Sequence, residues 1–322
     1  SNGELTADLT EGMYKAVEVQ APDKYDISEP YYFGIGTSRE GKMGLKATWA
    51  KGIGGTNTDY INSVSETSDG GYIVGGKFYS DSIDLENGII LENKGYYDGM
   101  VIKYSQSGEV EWARVIGKSS SDEVQAVIEV SDGGYVVVGN FQSTGSIDLG
   151  NGVSLTNKAT NGVPDGMIIK YTENGEAEWA KAIGGLQSDY VYSVTETLNG
   201  EYIVGGYFAS DNIDLGNGIS LVNNSSHLDG MVIKYSENGE AMWAKVIEGT
   251  SADYINSVAI TNDGGYIVGG YFTSSSIDLG DDIILTNKGS EDGMIIKYNQ
   301  NGKVEWAQTI GETADDTIET VS

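Results

Sequence analysis

The chain has no cysteine, three prolines and a single histidine, and its charges are lopsided: 19 Lys and Arg stand against 48 Asp and Glu, for a formal net charge of −29. Lack of cysteine removes disulfides, thiolate ligands and thiol nucleophiles, and fits a secreted bacterial protein or one from an anaerobe. The lone His227 sits among Asn and Ser. It leaves no material for zinc clusters or for Ser/His/Asp and Cys/His catalysis, so no catalytic residue, no metal centre and no enzyme are expected. Shortage of cations means that phosphate backbones and anionic lipid surfaces are repelled, which excludes nucleic acid as a partner. No apolar run approaches the ~20 residues of a spanning helix, so direct membrane insertion is not expected either. The opening Ser1-Asn2 reads as a cloning remnant, which would place any export signal upstream of it.

What the chain has is glycine, tyrosine and repetition. With 46 Gly, 21 Tyr, 5 Trp and 39% apolar residues it can fill a core and make many tight turns, the profile of a β-rich globular protein. All five tryptophans recur in one setting, W-A-[KRQ]-x-I, at Trp49, Trp112, Trp179, Trp243 and Trp306, with spacings of 63, 67, 64 and 63 residues. Laid over each other without gaps, residues 49–111 and 243–305 are about two-thirds identical, which marks tandem copies.

Within the copy at 179–242, alternation and Gly/Asn turn signals predict four strands: Tyr190–Thr197, Glu201–Phe208, Gly230–Tyr235 and Glu240–Val246. Four antiparallel strands per repeat make one propeller blade. After Trp306 the chain adds an outermost strand and the innermost strand of a further unit, then stops. Residues 1–48 offer three strand-like segments, 13–20, 31–38 and 43–51. These incomplete pieces are complementary. The expectation is therefore one all-β domain over 1–322, a five-bladed β-propeller of four-stranded antiparallel blades. The blades fall at approximately 54–116, 117–183, 184–247, 248–310, and 311–322 plus 1–53, with the two termini sharing the last and removing its open edges.

Four motifs carry a resemblance: G-G-x-x-x-D ahead of the first strand, D-G-G-Y-[IV]-V-[GV]-G in the second, D-G-M-[IV]-I-K-Y in the third and [NS]-G-x-[AV]-x-W in the fourth. They resemble the bacterial β-propeller repeat family called SBBP, well over 49–322 and poorly over 1–48. The third and fourth are also similar to quinoprotein propeller repeats, where Trp docks one blade on the next. The resemblance implies a propeller and a surface or secreted bacterial setting, and no enzymatic activity.

The unit is longer than a minimal blade, and the surplus lies between strands two and three. Asn87-Gly88, Asn151-Gly152 and Asn217-Gly218, replaced by Asp281-Asp282 in the last copy, predict type I′ hairpins there. These excursions are expected to share one rim with the loops that lead into each first strand. On that rim an Asp follows each Trp by ten residues: Asp59, Asp122, Asp189, Asp253 and Asp316, with Tyr60, Glu123, Tyr190, Tyr254 and Thr317 next to them. Two readings stand. The carboxylates and tyrosines ring the channel mouth and hold a cation or sugar hydroxyls, or each Asp folds back on its own loop as an Asx-type turn. The Trp is expected to pack blade on blade. The Asp of D-G-M (Asp98, Asp165, Asp229, Asp292) is expected to start the turn into strand three. Segments such as 84–88 carry closely spaced oxygens but lack the EF-hand pattern, so calcium is only weakly signalled and no cofactor is expected.

The functional expectation is an extracellular or cell-surface bacterial binding module that engages glycan or surface protein at several similar sites, within a longer native chain. The alternatives are a structural spacer in a larger surface protein and, third, a carboxylate-dependent glycoside hydrolase, against which stands the near-equivalence of the repeated acids.

Overall fold

The computed structural model describes residues 32–36, 46–159 and 162–322. The predicted strand at 13–20 lies outside them. Strand β1 (Tyr32–Gly36) pairs antiparallel with β2 (Lys46–Lys51). The first complete blade is β3 (Asp59–Glu66), β4 (Tyr72–Phe78), a side hairpin β5 (Ser82–Asp84) and β6 (Ile90–Glu92), then β7 (Asp98–Tyr104) and β8 (Val110–Ile116). The second is β9 (Asp122–Glu129), β10 (Tyr135–Phe141), hairpin β11 (Ser146–Gly150) and β12 (Val153–Thr156), β13 (Asp165–Tyr171) and β14 (Ala177–Ile183). The third is β15 (Asp189–Glu196), β16 (Tyr202–Phe208), hairpin β17 (Asn212–Gly216) and β18 (Ile219–Val222), β19 (Asp229–Tyr235) and β20 (Ala241–Ile247). The fourth is β21 (Asp253–Ile260), β22 (Tyr266–Phe272), hairpin β23 (Ser276–Asp278) and β24 (Ile284–Thr286), β25 (Asp292–Tyr298) and β26 (Val304–Ile310). Every blade is an antiparallel meander in chain order, and each hairpin is a separate two-stranded sheet. The protein is all-β and propeller-like, built of repeated four-stranded sheets.

The hairpin turns obey the backbone chemistry that Asn-Gly requires. Asn87 and Gly88 have φ of 53° and 79°, Asn217 and Gly218 of 55° and 75°, and Asp281 and Asp282 reach 50° and 61° at higher conformational cost. Each hairpin strand buries an Ile or Leu, Ile147 and Leu155 in the second blade for example, and the second strand leans on the outermost strand of its own blade. The excursions therefore start on the expected rim, but their bodies lie toward the outside of the blade.

Blades stack face to face, the first strand of each lying against the first two of the one before. Tryptophan locks the outer edge. Trp112 on β8 donates its indole N–H to the carbonyl of Glu173, 3.0 Å away in the next blade's last turn, and packs edge-on to Tyr135 at 5.4 Å. Gly175 in that turn has φ +72°, and a Cβ there would stand 2.5 Å from the indole, so glycine serves both the turn and the contact. Trp179 repeats this with Glu237 O at 3.0 Å, and Trp49 on β2 does so with Gln106 O of the first blade at 3.2 Å.

The C-terminal segment departs from expectation by forming no strand ladder among the described residues. It nonetheless takes the place of an innermost strand. Asn256 Nδ2 donates to Ile318 O at 3.1 Å and Val321 N to Ser257 Oγ at 3.1 Å, as Asn62 donates to Val124 O at 2.8 Å and Val127 N to Ser63 Oγ at 3.2 Å between the first two blades. The third-strand lysines form a further repeated feature. Lys103, only 1% exposed, is held by Asp69 at 2.9 Å and Glu111 at 3.0 Å, and Lys297 by Asp263 and Glu305 at 3.0 Å each. A buried ammonium needs such partners.

Candidate functional site

The rim is built where the loop after each fourth strand turns into the next first strand. Its aspartates point inward. Asp189 is fully buried, and its Oδ1 accepts backbone N–H bonds from Ala209 and Ser210, both at 3.1 Å. Its Oδ2 accepts from Ser210 Oγ at 2.7 Å and Gly185 N at 2.9 Å. Asp59 does the same with Tyr79 N, Ser80 N, Ser80 Oγ and Gly55 N at 2.7–3.1 Å. Asp122 bonds Gln142 N, Ser143 N and Ser143 Oγ, and Asp253 bonds Ser274 Oγ and Gly249 N at 2.8 Å each. Asp316, half-buried, accepts from Glu312 N at 3.2 Å. Asp59, Asp122, Asp189 and Asp253 thus tie their own loop to the loop that opens the hairpin, whereas the Asp316 carboxylate, among the described residues, bonds only within its own loop.

The clamp's partner is a serine at a constant 21 residues beyond the Asp: Ser80, Ser143, Ser210 and Ser274. That constant spacing is the clamp's signal in the sequence. Burial pushes the Asp122 and Asp189 carboxyls upward and Asp253 to about 6, opposed by these hydrogen bonds.

What faces outward is tyrosine. In the third and fourth blades Tyr190, Tyr192, Tyr207, Tyr254 and Tyr271 form a continuous half-buried seam. Tyr207 meets Tyr190 at 5.1 Å and Tyr254 edge-on at 4.8 Å, while Tyr254 stacks on Tyr271 at 4.5 Å. The hydroxyls of Tyr192 and Tyr207 are 3.1 Å apart. Burial raises the phenols of Tyr192, Tyr207 and Tyr254, and takes Tyr271 to about 12, so these four stay neutral donors and acceptors.

The first blade has its own cluster. Tyr79, Tyr96 and Tyr97 lie 4.7–5.3 Å from one another, with Tyr60 6.2 Å from Tyr97. Lys77 sits 5.4 Å from the Tyr60 ring centroid and 5.3 Å from that of Tyr97, and pairs with Glu123 of the next blade. Tyr60 and Tyr96 are 46% and 54% exposed. The copies serve as the comparison set for this cluster. Where the first blade has Tyr79, the others have Gln142, Ala209 and Thr273, and where it has Tyr96-Tyr97, they have Val163-Pro164, His227-Leu228 and Ser290-Glu291. Near-identical repeats that diverge at positions converging in space mark a surface under separate demand. Of the residues foreseen on the rim, Tyr60, Tyr190 and Tyr254 are in these clusters and Glu123 borders one. Thr317 hydrogen-bonds Glu319 at 3.1 Å, and the aspartates are withdrawn beneath.

A shallow open groove of about 350 Å³ runs between the second and third hairpins, past Lys158, Lys181 and Asp214. The D-G-M aspartates cap their turns as expected: Asp98, Asp165 and Asp292 each accept a backbone N–H at 2.7 Å, from Lys94, Lys158 and Lys288.

No family model matches the chain. It is 25% identical over 181 residues, 52% of its length, to an uncharacterized WD repeat-containing protein of Acanthamoeba polyphaga mimivirus, and 27% identical over 118 residues, 37% of its length, to the regulatory protein FlaEY of Caulobacter vibrioides. It spans 13% and 12% of those proteins' own lengths. Among solved structures it is similar to a protein of unknown function from Bacteroides caccae, with a TM-score of 0.34 and 12% identity over 82% of this chain and 86% of that one. It is also similar to the extracellular domain of a putative hybrid two-component system from B. thetaiotaomicron, with a TM-score of 0.36 and 11% identity over 81% of this chain and 30% of that one.

Proposed function

We propose that the chain is a non-catalytic bacterial surface or secreted binding module that holds neutral glycans against the tyrosine clusters of one propeller rim. The observation that carries this reading is the division of labour on the rim: four of the repeated carboxylates are consumed by loop clamps, while tyrosines beside them stay exposed or half-buried, and Tyr79, Tyr96 and Tyr97 of the first blade have no counterpart in the other copies. Flat phenol faces stack on sugar rings and neutral hydroxyls exchange hydrogen bonds with theirs. A net charge of −29 disfavours anionic polymers and leaves neutral saccharides as the fitting class. The extracellular setting and membership of the SBBP-like repeats rest on the motif resemblance. The same reading takes the ring to have five blades, with residues 1–53 and 311–322 sharing the fifth. Trp49 already docks on the first blade and Ile318–Val321 on the fourth, in the positions such a blade would use.

A glycan array probed with the intact chain tests the proposal. Saturable binding to neutral glycans should drop at least tenfold in Tyr79→Ala/Tyr96→Ala or in Tyr207→Ala/Tyr254→Ala. Silence across the array would leave the spacer role, and hydrolysis of an arrayed glycan would overturn the non-catalytic reading.

A further inference from the structure

At each blade junction two aspartates meet. The amide of Asp122 donates to Tyr97 O at 2.7 Å, that of Asp189 to Pro164 O at 2.9 Å, that of Asp253 to Leu228 O at 2.8 Å and that of Asp316 to Glu291 O at 2.8 Å. Each bond brings a rim aspartate beside the D-G-M aspartate next in sequence to the accepting residue. Asp98, Asp165, Asp229 and Asp292 are all 0% exposed. In every one a single carboxylate oxygen is bonded by its turn and the other, Oδ1 of Asp98, Asp165 and Asp292 and Oδ2 of Asp229, has no hydrogen-bond partner. One orphaned buried oxygen would be a local accident, but the same one in four copies is a feature of the repeat.

At the first and last of these junctions the orphan is aimed at a place it shares with the rim aspartate. A Cβ on Gly117 would stand 2.3 Å from Asp98 Oδ1 and 3.0 Å from Asp122 Oδ2, and one on Gly311 would stand 2.5 Å from Asp292 Oδ1 and 3.1 Å from Asp316 Oδ2. Any side chain there would separate the two carboxylates. Beside Gly95 the same Asp98 oxygen is joined by the carbonyl of Ser120. In the third copy the glycine is replaced by Glu248, which adds a negative charge near Asp229.

We propose that these junctions are cation sites, each binding one hard divalent ion such as Ca²⁺ through the orphaned aspartate oxygen, with the rim aspartate and loop carbonyls as neighbours. Hard cations take carboxylate and carbonyl oxygens, and a buried like-charged pair is stable only when its charge is compensated. No three acidic or histidine side chains converge as a metal cluster among the described residues, so backbone oxygens must supply the remaining ligands. Such an ion would pin strand three of one blade to strand one of the next, and the proposal is independent of what the tyrosines bind.

The test uses the full chain, freed of metal with chelator and titrated with CaCl₂ at constant ionic strength, followed by thermal unfolding and by metal content per chain. Uptake should saturate at up to four ions with a rise in Tm, and Asp165→Asn should lower the count by one. Tb³⁺ provides a second readout that survives an unstable variant, because Tyr97 adjoins Asp98: tyrosine-sensitised emission should appear with the native chain and fall in Asp98→Asn. Absence of saturable uptake, uptake unchanged by both substitutions, or a Tm that ignores Ca²⁺ and rises only on acidification would overturn it. The last result would mean that a proton, shared by each pair, does the compensating.

Discussion

Replacing Asp189 by Ala separates a structural clamp from a ligand-binding carboxylate. The native side chain is fully buried and accepts three backbone N–H bonds and one hydroxyl bond, at 2.7–3.1 Å. Truncation leaves those donors without an acceptor inside the protein, at about 1–3 kcal/mol for each that water cannot reach. Against this stands relief from a desolvated charge beside Asp165. A net loss of about 3–5 kcal/mol is the central expectation. For a chain of this length, unfolding as one unit, that corresponds to roughly 5–8 °C in Tm. Ser210→Ala removes only the hydroxyl bond and should cost about 1 kcal/mol. Circular dichroism melts of the two variants, paired with binding of whichever glycan the wild type retains, decide the matter. If Asp189→Ala melts within 1 °C of wild type and loses binding, the carboxylate serves a ligand and the clamp account is wrong.

Asp282 holds φ of 61° where the first three copies have glycine, so Asp282→Gly should stabilise by about 0.5–1 kcal/mol, read as a higher urea midpoint at unchanged slope. The Thr67 hydroxyl and the Lys103 ammonium hold the Asp69 carboxyl down at about 2. A lowered folded value means that this stabilisation is complete above the ordinary carboxylate range and disappears as pH falls from about 4 through about 2. An acid titration should accordingly show wild type losing more stability over that interval than Asp69→Asn, and equal losses would contradict the assignment.

The fold was legible because tandem copies repeat every signal: one turn or one alternation is weak, but five tryptophans in one setting fix the period and hence the blade. Asn-Gly likewise announced the hairpins, since few sequences tolerate paired positive φ. The site was harder to read. Asp59 and its equivalents looked the same as ligands or clamps, because the deciding partner, a serine 21 residues away, becomes adjacent only when strands one and two pair. The tyrosine clusters were half visible: Tyr60, Tyr190 and Tyr254 stood out in the rim pattern. Tyr79, Tyr96 and Tyr207 belong to other strands and turns and join them only through the sheet register, as when Tyr190 faces Tyr207. Lys103 hid for a different reason. A charged residue at the end of an apolar strand reads as solvent-facing until the turn carboxylate that neutralises it is seen beside it.

Closure of the ring is the claim on which the shared rim depends, and its mark is the last tryptophan. Val64 on the first strand is 46% exposed where Val127, Val194 and Val258 are at most 5%, and Trp306 is 46% exposed where Trp112 is 8%. These are the two faces that a fifth blade, completed by the N-terminal residues, would cover. The measurement is the unfolding free energy of Trp306→Ala set against Trp112→Ala. With the ring closed, both should lose about 3–5 kcal/mol, the usual cost of removing a buried tryptophan. A loss below about 1 kcal/mol for Trp306→Ala beside a full loss for Trp112→Ala would show an open stack.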